Sequence, residues 1–237
     1  VAALQSAFGP AGATASRQLE VAVVGDYEFS QLGFSGGLTP AEAVSRVEDW
    51  YREFGQAAVF QISDRCRPAG LDDLLQRGSY ARVGESQVLM RSLAILPPAP
   101  RGVELELRAT ALAMEAVSDP RGSAAERSAR ARLFGLIRRP MVFAVRLMGG
   151  SAVAGGVGGV GWPPAGIFFM EARAHQRPDG AASAVLARLL HWARSMGAER
   201  AYLQIEAANR PAATLYAANG FLPLYRYHYR VAASAAV

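Results

Sequence analysis

The chain has 237 residues, 51% hydrophobic and 19% charged, with a formal net charge of +5. This is the composition of a folded globular protein with room for one large or two small domains, and it excludes a disordered or fibrous chain. The sequence contains no lysine, so every basic side chain in that balance is an arginine; Schiff-base chemistry through an internal lysine is excluded, and no apolar run approaches the roughly 18 residues of a membrane helix.

The start of the chain shows no basic segment followed by a long apolar stretch, so no signal peptide is read there. Cys66 is the single cysteine. It has no internal partner for a disulfide, and the expected compartment is the reducing cytoplasm. The densest basic cluster, Arg127-Ser-Ala-Arg-Ala-Arg132 with Arg138-Arg139, has the spacing of a solvated helix face. No nucleic-acid partner and no membrane partner are expected.

In chain order, Thr39-Pro-Ala-Glu42 is a capping box with proline at the first helical position. The helix it opens carries Val44, Val47, Trp50 and Tyr51. A strand follows at residues 59–62, then a short helix ending near Gly78, then a strand at residues 88–93. The proline-rich run Leu96-Pro-Pro-Ala-Pro-Arg-Gly102 reads as a linker, dividing the chain into residues 1–98 and 99–237. Beyond it, residues 103–108 alternate apolar and acidic groups, as a half-buried strand does. Residues 110–136 are helical in spacing with a break at residues 119–122. Strands are expected at residues 141–147 and 166–171, with a glycine-rich stretch between them.

Helical spacing returns at residues 180–197, where Ala182, Val185, Leu186, Leu189, Ala193 and Met196 share one face. A strand at residues 201–205, a short helix closed by Gly220 and an aromatic strand at residues 225–229 complete the chain. Several strands followed by alternation predict an α/β fold, a mixed sheet with helices on both faces. The order helix, strand, helix, strand occurs twice, at an offset of about 142 residues, and Val59-Phe-Gln-Ile62 echoes Tyr202-Leu-Gln-Ile205, which reads as an internal duplication or as two ordinary αβ units.

Two segments carry candidate chemistry. Arg177-Pro-Asp-Gly180-Ala-Ala182 opens the long helix after a strand. A helix start offers unpaired N–H groups and partial positive charge to a phosphate, small residues allow close approach, and Arg177 adds a charged fork. The second is Asn209-Arg-Pro-Ala-Ala-Thr-Leu-Tyr216-Ala-Ala-Asn-Gly220-Phe221. Tyr216 sits on its short helix, either as a proton donor at the mouth of a cleft or as a packed tyrosine in a helix-to-strand turn.

Together these pieces resemble the GNAT superfamily of N-acetyltransferases over residues of about 101–235. The Arg177-x-x-Gly180-x-Ala182 loop, the strand at 201–205 and the Asn209-x-x-Ala-x-x-Leu-Tyr216-x-x-x-Gly220-Phe221 run match the pattern. The resemblance implies a mixed central sheet of GNAT type, preceded by a partial, degenerate GNAT-like lobe in residues 1–98. It implies acetyl-CoA as cosubstrate, no metal, and a small-molecule or peptide amine as acceptor. The acetyl group would pass to a primary amine by direct attack in a ternary complex. Backbone groups of Met170, Glu171 and Ala172 would hold the pantetheine arm. Arg177, Gly180, Ala181, Ala182 and Ser183 would hold the pyrophosphate, and Asn209 would touch the cofactor arm. Tyr216 would protonate the leaving thiolate, and Glu171 or Glu206 would deprotonate the amine.

Some residues depart from the pattern. Pro178 has no N–H to give, and Asp179 places a negative charge where a phosphate would sit. They motivate the alternative of a non-catalytic CoA-binding or structural pseudoenzyme on the same fold. In the N-terminal lobe Leu74 stands where Tyr216 stands, so one catalytic site is expected, and the lobe is left to stabilise, shape the acceptor pocket or pair two copies as a homodimer. Gly156-Val-Gly-Gly-Val-Gly161 matches a dinucleotide fingerprint in letters, but a Trp-Pro-Pro and a strand follow it instead of a helix, so a small-residue strand is expected. His175, His191 and His228 lack metal-ligand spacing. Cys66 lies between Arg65 and Arg67, which would lower its pKa.

Overall fold

The computed structural model describes residues 21–22, 39–64, 66–119, 122–137, 139–161, 164–173 and 180–233. His175, Arg177, Pro178 and Asp179 lie outside the described residues. The chain forms two compact units. One comprises residues 1–87, 206–208 and 225–237, and the other residues 88–205 and 209–224.

The first unit contains β1 (Val21–Ala22), helix α1 (Pro40–Glu53), β2 (Val59–Ser63) and helix α2 (Leu71–Arg77). It also holds the first part of β3 (Ala81–Ser92) and the later part of the closing strand β9 (Leu222–Val231). The capping box forms as expected: Thr39 N–H donates to Glu42 Oε2 at 2.7 Å, and Glu42 N–H donates to Thr39 Oγ1 at 3.3 Å. Val47 and Tyr51 of α1 meet Phe60 and Ile62 of β2 and Leu71 and Leu75 of α2 in one apolar core. β1 pairs parallel with β2, and β2 pairs antiparallel with β9, Phe60 opposite Arg230 and Ile62 opposite His228. Both of those β9 side chains reach Asp72 of α2: His228 Nε2 lies 2.9 Å from Asp72 Oδ1, and Arg230 Nε donates to the same oxygen at 2.7 Å. Cys66 departs from expectation. Burial pushes its thiol up to about 11, outweighing the neighbouring arginine charge.

The second unit holds the end of β3, then β4 (Val103–Glu106), α3 (Ala111–Ala116), α4 (Ala124–Leu136), β5 (Met141–Met148), β6 (Ser151–Gly159), β7 (Ala165–Ala172), α5 (Ala181–Ser195), β8 (Arg200–Glu206) and α6 (Arg210–Ala218). Its strand order is β3-β8-β7-β6-β5-β4. The sheet is mixed: β4 to β7 pair antiparallel, and β7 pairs parallel with β8. The linker at residues 96–102 joins β3 to β4 inside this unit. The glycine-rich run is strand β6, as its context predicts.

Alternation along β6 sorts the helices onto the two faces. A Cβ at Gly156 or Gly158 would strike Leu189 or Trp192 of α5, whereas one at Gly155 would lie 2.6 Å from the Cβ and carbonyl oxygen of Ala116 in α3. Helix α5 therefore covers one face and α3 the other. The larger core forms under α5, where Val185, Leu186, Leu189 and Leu190 meet Val142, Ala144, Ile167 and Leu203. On the α4 side, Phe134 packs edge-on against Phe143 and Phe169.

Two boundaries differ from the sequence expectation. β3 begins at Ala81 and β9 at Leu222, earlier than their apolar cores. Those first segments are largely exposed and carry Gly84 and Pro223, residues that disfavour strands, but strand pairing overrides the local preference.

Candidate active site

The site grows from two irregularities in β7. The first is a bulge: Gly155 faces Glu171 and Val157 faces Phe168, so Gly156 stands opposite both Phe169 and Met170. Phe169 absorbs the extra residue with φ +48. An inserted residue reverses which face each later side chain occupies. Ile167, before the bulge, belongs to the core under α5. Glu171, four residues on, lines a cleft on the α3 side with Glu115, Ala116, Ser118 and Arg173. Met170 now faces Gly156 and the α5 side.

The second irregularity is that β7 and β8 pair at two rungs, Ala165 with Ala201 and Gly166 with Tyr202, and then part. The main-chain groups of Met170, Glu171 and Ala172 lie beyond the parting, on the stretch assigned to the pantetheine arm. Ser118 and the α3–α4 turn had no sequence signal; a lone serine after a short helix is unremarkable until the fold buries it.

Glu171 is half-buried. Burial pushes its carboxyl pKa up, the Asp119 carboxylate adds to the rise, and the Arg130 guanidinium opposes it. Arg130 is held where it can do so. Its guanidinium carbon lies 5.0 Å from the centre of the Phe169 ring, and Nη1 donates to the Val117 carbonyl at 3.0 Å. Arg173 donates to Glu115 at 2.7 Å, tying the end of β7 to α3.

Tyr216 is carried by α6, whose first turn is capped by Asn209: Ala212 N–H donates to Asn209 Oδ1 at 3.1 Å. Asn209 thus spends one amide atom on the helix start, which the sequence assignment did not foresee. The helix stops at Asn219, followed by Gly220 at φ +77. Phe221 then folds back edge-on to Tyr216, ring centres 5.8 Å apart. Tyr216 is 6% exposed. Burial, and secondarily the charge of Glu171, push its phenol up to about 12. The charge of Glu171 is thus felt at the Tyr216 phenol, while the cleft beside Glu171 is lined without Tyr216.

Helix α5 begins after Gly180, whose φ of +81 suits glycine. Among the described residues no side chain caps this end, and none lies within 4 Å of where a Cβ at Gly180 would stand. The N–H groups of Ala181, Ala182 and Ser183 are thus the orphan donors of a helix start. Ser183 Oγ accepts from Asn219 Nδ2 at 3.3 Å, linking α5 to the end of α6. Glu206 ends β8, exposed, and groups with the first unit; the cleft beside Glu171 is lined without it.

A family model described as "Probable histone acetyltransferase Rv0428c C-terminal" matches residues 31–230. The chain belongs to this acetyltransferase family. Similar solved structures place the family's fold in the GNAT class. A GCN5-related N-acetyltransferase from Kribbella flavida superposes with a TM-score of 0.61 at 17% identity, over 82% of this chain and 77% of that one. A GCN5-related N-acetyltransferase from Sphaerobacter thermophilus gives 0.59 at 21% identity, over 81% and 67%. A tandem GNAT protein from the clavulanic acid biosynthesis pathway gives 0.66 at 16% identity, over 83% and 70%. The uncharacterized N-acetyltransferase YobR of Bacillus subtilis is 42% identical over 55 residues, a match spanning 23% of this chain and 22% of that protein. Among the described residues, no helix is long and apolar enough to cross a membrane, and no group of three or more His, Cys, Asp or Glu side chains is placed to hold a metal ion.

Proposed function

We propose that this acetyltransferase moves an acetyl group from acetyl-CoA to a primary amine by direct attack within a ternary complex. One observation carries the reading: β7 and β8 part after two rungs, and the charge of Glu171, on β7 beyond that parting, reaches the Tyr216 phenol. The geometry fits the cosubstrate. The start of α5, uncapped among the described residues and with no side chain at Gly180, suits a pyrophosphate, with Arg177 as the charged partner. The main chain of residues 170–172 suits an amide-bearing arm, and Asn209 stands at the start of α6 beside it.

In this reading Glu171 takes the proton from the acceptor's ammonium group. The freed nitrogen bonds to the acetyl carbon, the carbon–sulfur bond breaks with its electron pair leaving on sulfur, and the nitrogen sheds its second proton to solvent as the neutral amide forms. Tyr216 gives its proton to the departing thiolate and regains one from solvent. A phenol with a pKa near 12 stays protonated throughout the neutral range, as a general acid must. Glu171 is favoured over Glu206 as base because it lines the cleft. The family's description makes a protein lysine one acceptor to test, alongside small amines. Residues 1–98 are then a degenerate lobe without chemistry of its own; Leu74, at the place of Tyr216, packs against the first unit's core. The reaction is placed in the cytoplasm, a compartment that suits a chain with one half-buried thiol.

The test is titration calorimetry with acetyl-CoA followed by turnover on an amine panel. Tyr216→Phe is expected to lower kcat by about 10²-fold while leaving acetyl-CoA affinity unchanged. Full kcat in the variant removes Tyr216 as the acid. Binding without turnover on any amine turns the reading toward a CoA-binding protein without catalysis.

A further inference from the structure

The backbone of Phe169 is held in a conformation that the steps above do not explain. Among the described residues two besides glycine have positive φ, Ser79 at +62 and Phe169 at +48. Ser79 lies in the turn after α2, whereas Phe169 stands inside strand β7. An aromatic residue in this region brings its Cβ too close to a carbonyl oxygen, so its surroundings must hold it there. The side chains show what the bulge does. Phe168 meets Tyr202 edge-on at 5.9 Å, and Tyr202 faces away from α5, because its neighbours Ala201 and Leu203 belong to the core under that helix. Phe169 points to the same side, where its ring meets Phe134 of α4. Two successive side chains thus share one face, and alternation resumes beyond them.

The competing arrangement is a ladder without the bulge. Alternation would then run unbroken from Ile167 and turn Glu171 under α5. What opposes that arrangement comes from α4. The Phe134 ring lies 5.6 Å from the Phe169 ring with the planes at 81°, and 5.0 Å from Phe143 of β5 at 86°. Phe134 and Phe143 are both buried, so the ring that meets Phe169 is itself anchored on the sheet. Arg130, one turn earlier on α4, has its guanidinium carbon 5.0 Å from the centre of the Phe169 ring and is fixed by its bond to the Val117 carbonyl. Ring-edge and cation–ring contacts are each comparable in size to the penalty for a left-handed residue, so together they offset it.

We propose that Phe134 and Arg130 of α4 clasp the Phe169 ring and so hold the bulge of β7, making Phe134 and Phe169 positioning residues for the reaction. The proposal rests on the acetyltransferase reading and adds a dependence to it. The face that Glu171 occupies, and the course of the main chain at residues 170–172, are set from α4, a helix that carries none of the reacting groups.

The test uses the full chain and compares Phe169→Ala, Phe169→Gly, Phe134→Leu and the double variant Phe134→Leu/Phe169→Gly. The two Phe169 variants lose the same ring and differ in that glycine takes positive φ without strain. Phe169→Gly is expected to unfold at a higher urea concentration than Phe169→Ala. With Nα-acetyl-lysine methylamide as acceptor, its kcat should be about tenfold that of Phe169→Ala, the left-handed penalty read as a rate. An ordinary strand residue gives the reverse order, because glycine weakens a strand interior. Phe134→Leu should lower kcat about fivefold in the otherwise unaltered chain and less than twofold in Phe169→Gly, where the clasp has nothing left to hold. The proposal is overturned if Phe169→Ala matches or exceeds Phe169→Gly in midpoint or in kcat, or if Phe134→Leu lowers kcat by the same factor in both backgrounds. Failure of the acetyltransferase reading looks different: the unaltered chain then binds no acetyl-CoA in calorimetry or turns over no amine. The urea midpoints of the same four variants still judge the clasp. Glycine above alanine, with a smaller effect of Phe134→Leu in Phe169→Gly, supports it; alanine above glycine, or effects that simply add, refute it.

Discussion

Glu171 illustrates how one side chain's behaviour is set by its surroundings. Burial lifts its pKa first, the Asp119 carboxylate lifts it further, and Arg130 pulls it down. A base must be ionised to act, so the acid limb of kcat/KM follows this pKa. Asp119→Asn removes a repulsion and should move that limb to lower pH. Arg130→Gln removes an attraction and should move it to higher pH, while the new amide can still donate to the Val117 carbonyl. A pH–rate profile of both variants checks the pair of directions; shifts of the same sign would remove Glu171 as the base. Tyr216 and Glu171 could be proposed from the sequence because each sits in a motif with a fixed spacing to a glycine or a strand end. The influence of Asp119 and Arg130 on Glu171 could not, since it depends on burial and on neighbours brought from other elements.

At the scale of elements, the contact between α3 and β6 sets one wall of the cleft beside Glu171. Gly155→Ala would drive a methyl group into Ala116, whose Cβ and carbonyl oxygen lie 2.6 Å from the position it would take. Backbone must move to accommodate it, and a loss of about 2 kcal/mol is expected from overpacking of this kind, read as a lower midpoint in urea unfolding. Gly180 makes a contrast. Its surroundings are open but its φ is +81, so an alanine there is opposed by backbone conformation alone. Helix α1 was readable from its capping box, Thr39 with Glu42; the second box, Ser123 with Glu126 at the start of α4, was not read from the sequence. The bulge in β7 was not. Phe168-Phe169-Met170 carries no glycine, and nothing in an apolar run announces that one residue will be left unpaired. Yet that residue decides which face Glu171 occupies.

Across the whole molecule, each half of the sequence lends its last strand to elements of the other half. β2 pairs with β9, and β3 neighbours β8, so each unit takes a strand from the far half of the chain. The sequence, which reads as a repeat or as two ordinary αβ units, did not show this pairing, because either arrangement places the same apolar residues in the same kinds of position. Asp72 fastens this long-range closure in the first unit, bonded to His228 and Arg230 across 156 and 158 positions of sequence. The Arg230 hydrogen bond, helped by His228, holds the Asp72 carboxyl at about 2, below its ordinary 3.8. A depressed folded pKa means the stabilisation is complete above the unfolded value and is lost as pH falls through the folded one. Acid unfolding should therefore steepen between about pH 4 and pH 2. Asp72→Ala is expected to cost about 2–3 kcal/mol, chiefly by leaving the Arg230 charge buried without its partner, and to flatten that part of the pH–stability curve. Denaturant melts across this range measure both effects, and an unchanged curve would show that the contact contributes nothing.

Past Gly166 and Tyr202, the facing sides of β7 and β8 amount to two sheet margins inside a sheet. On the outside of a protein such margins recruit other chains. These are flanked by β6 and β3, so the intruder they suit is one extended strand wide and carries its own amides. Anything lying there is read by main-chain groups, which no point substitution deletes; drift in the side chains of β7 and β8 can retune the acceptor without erasing that grip.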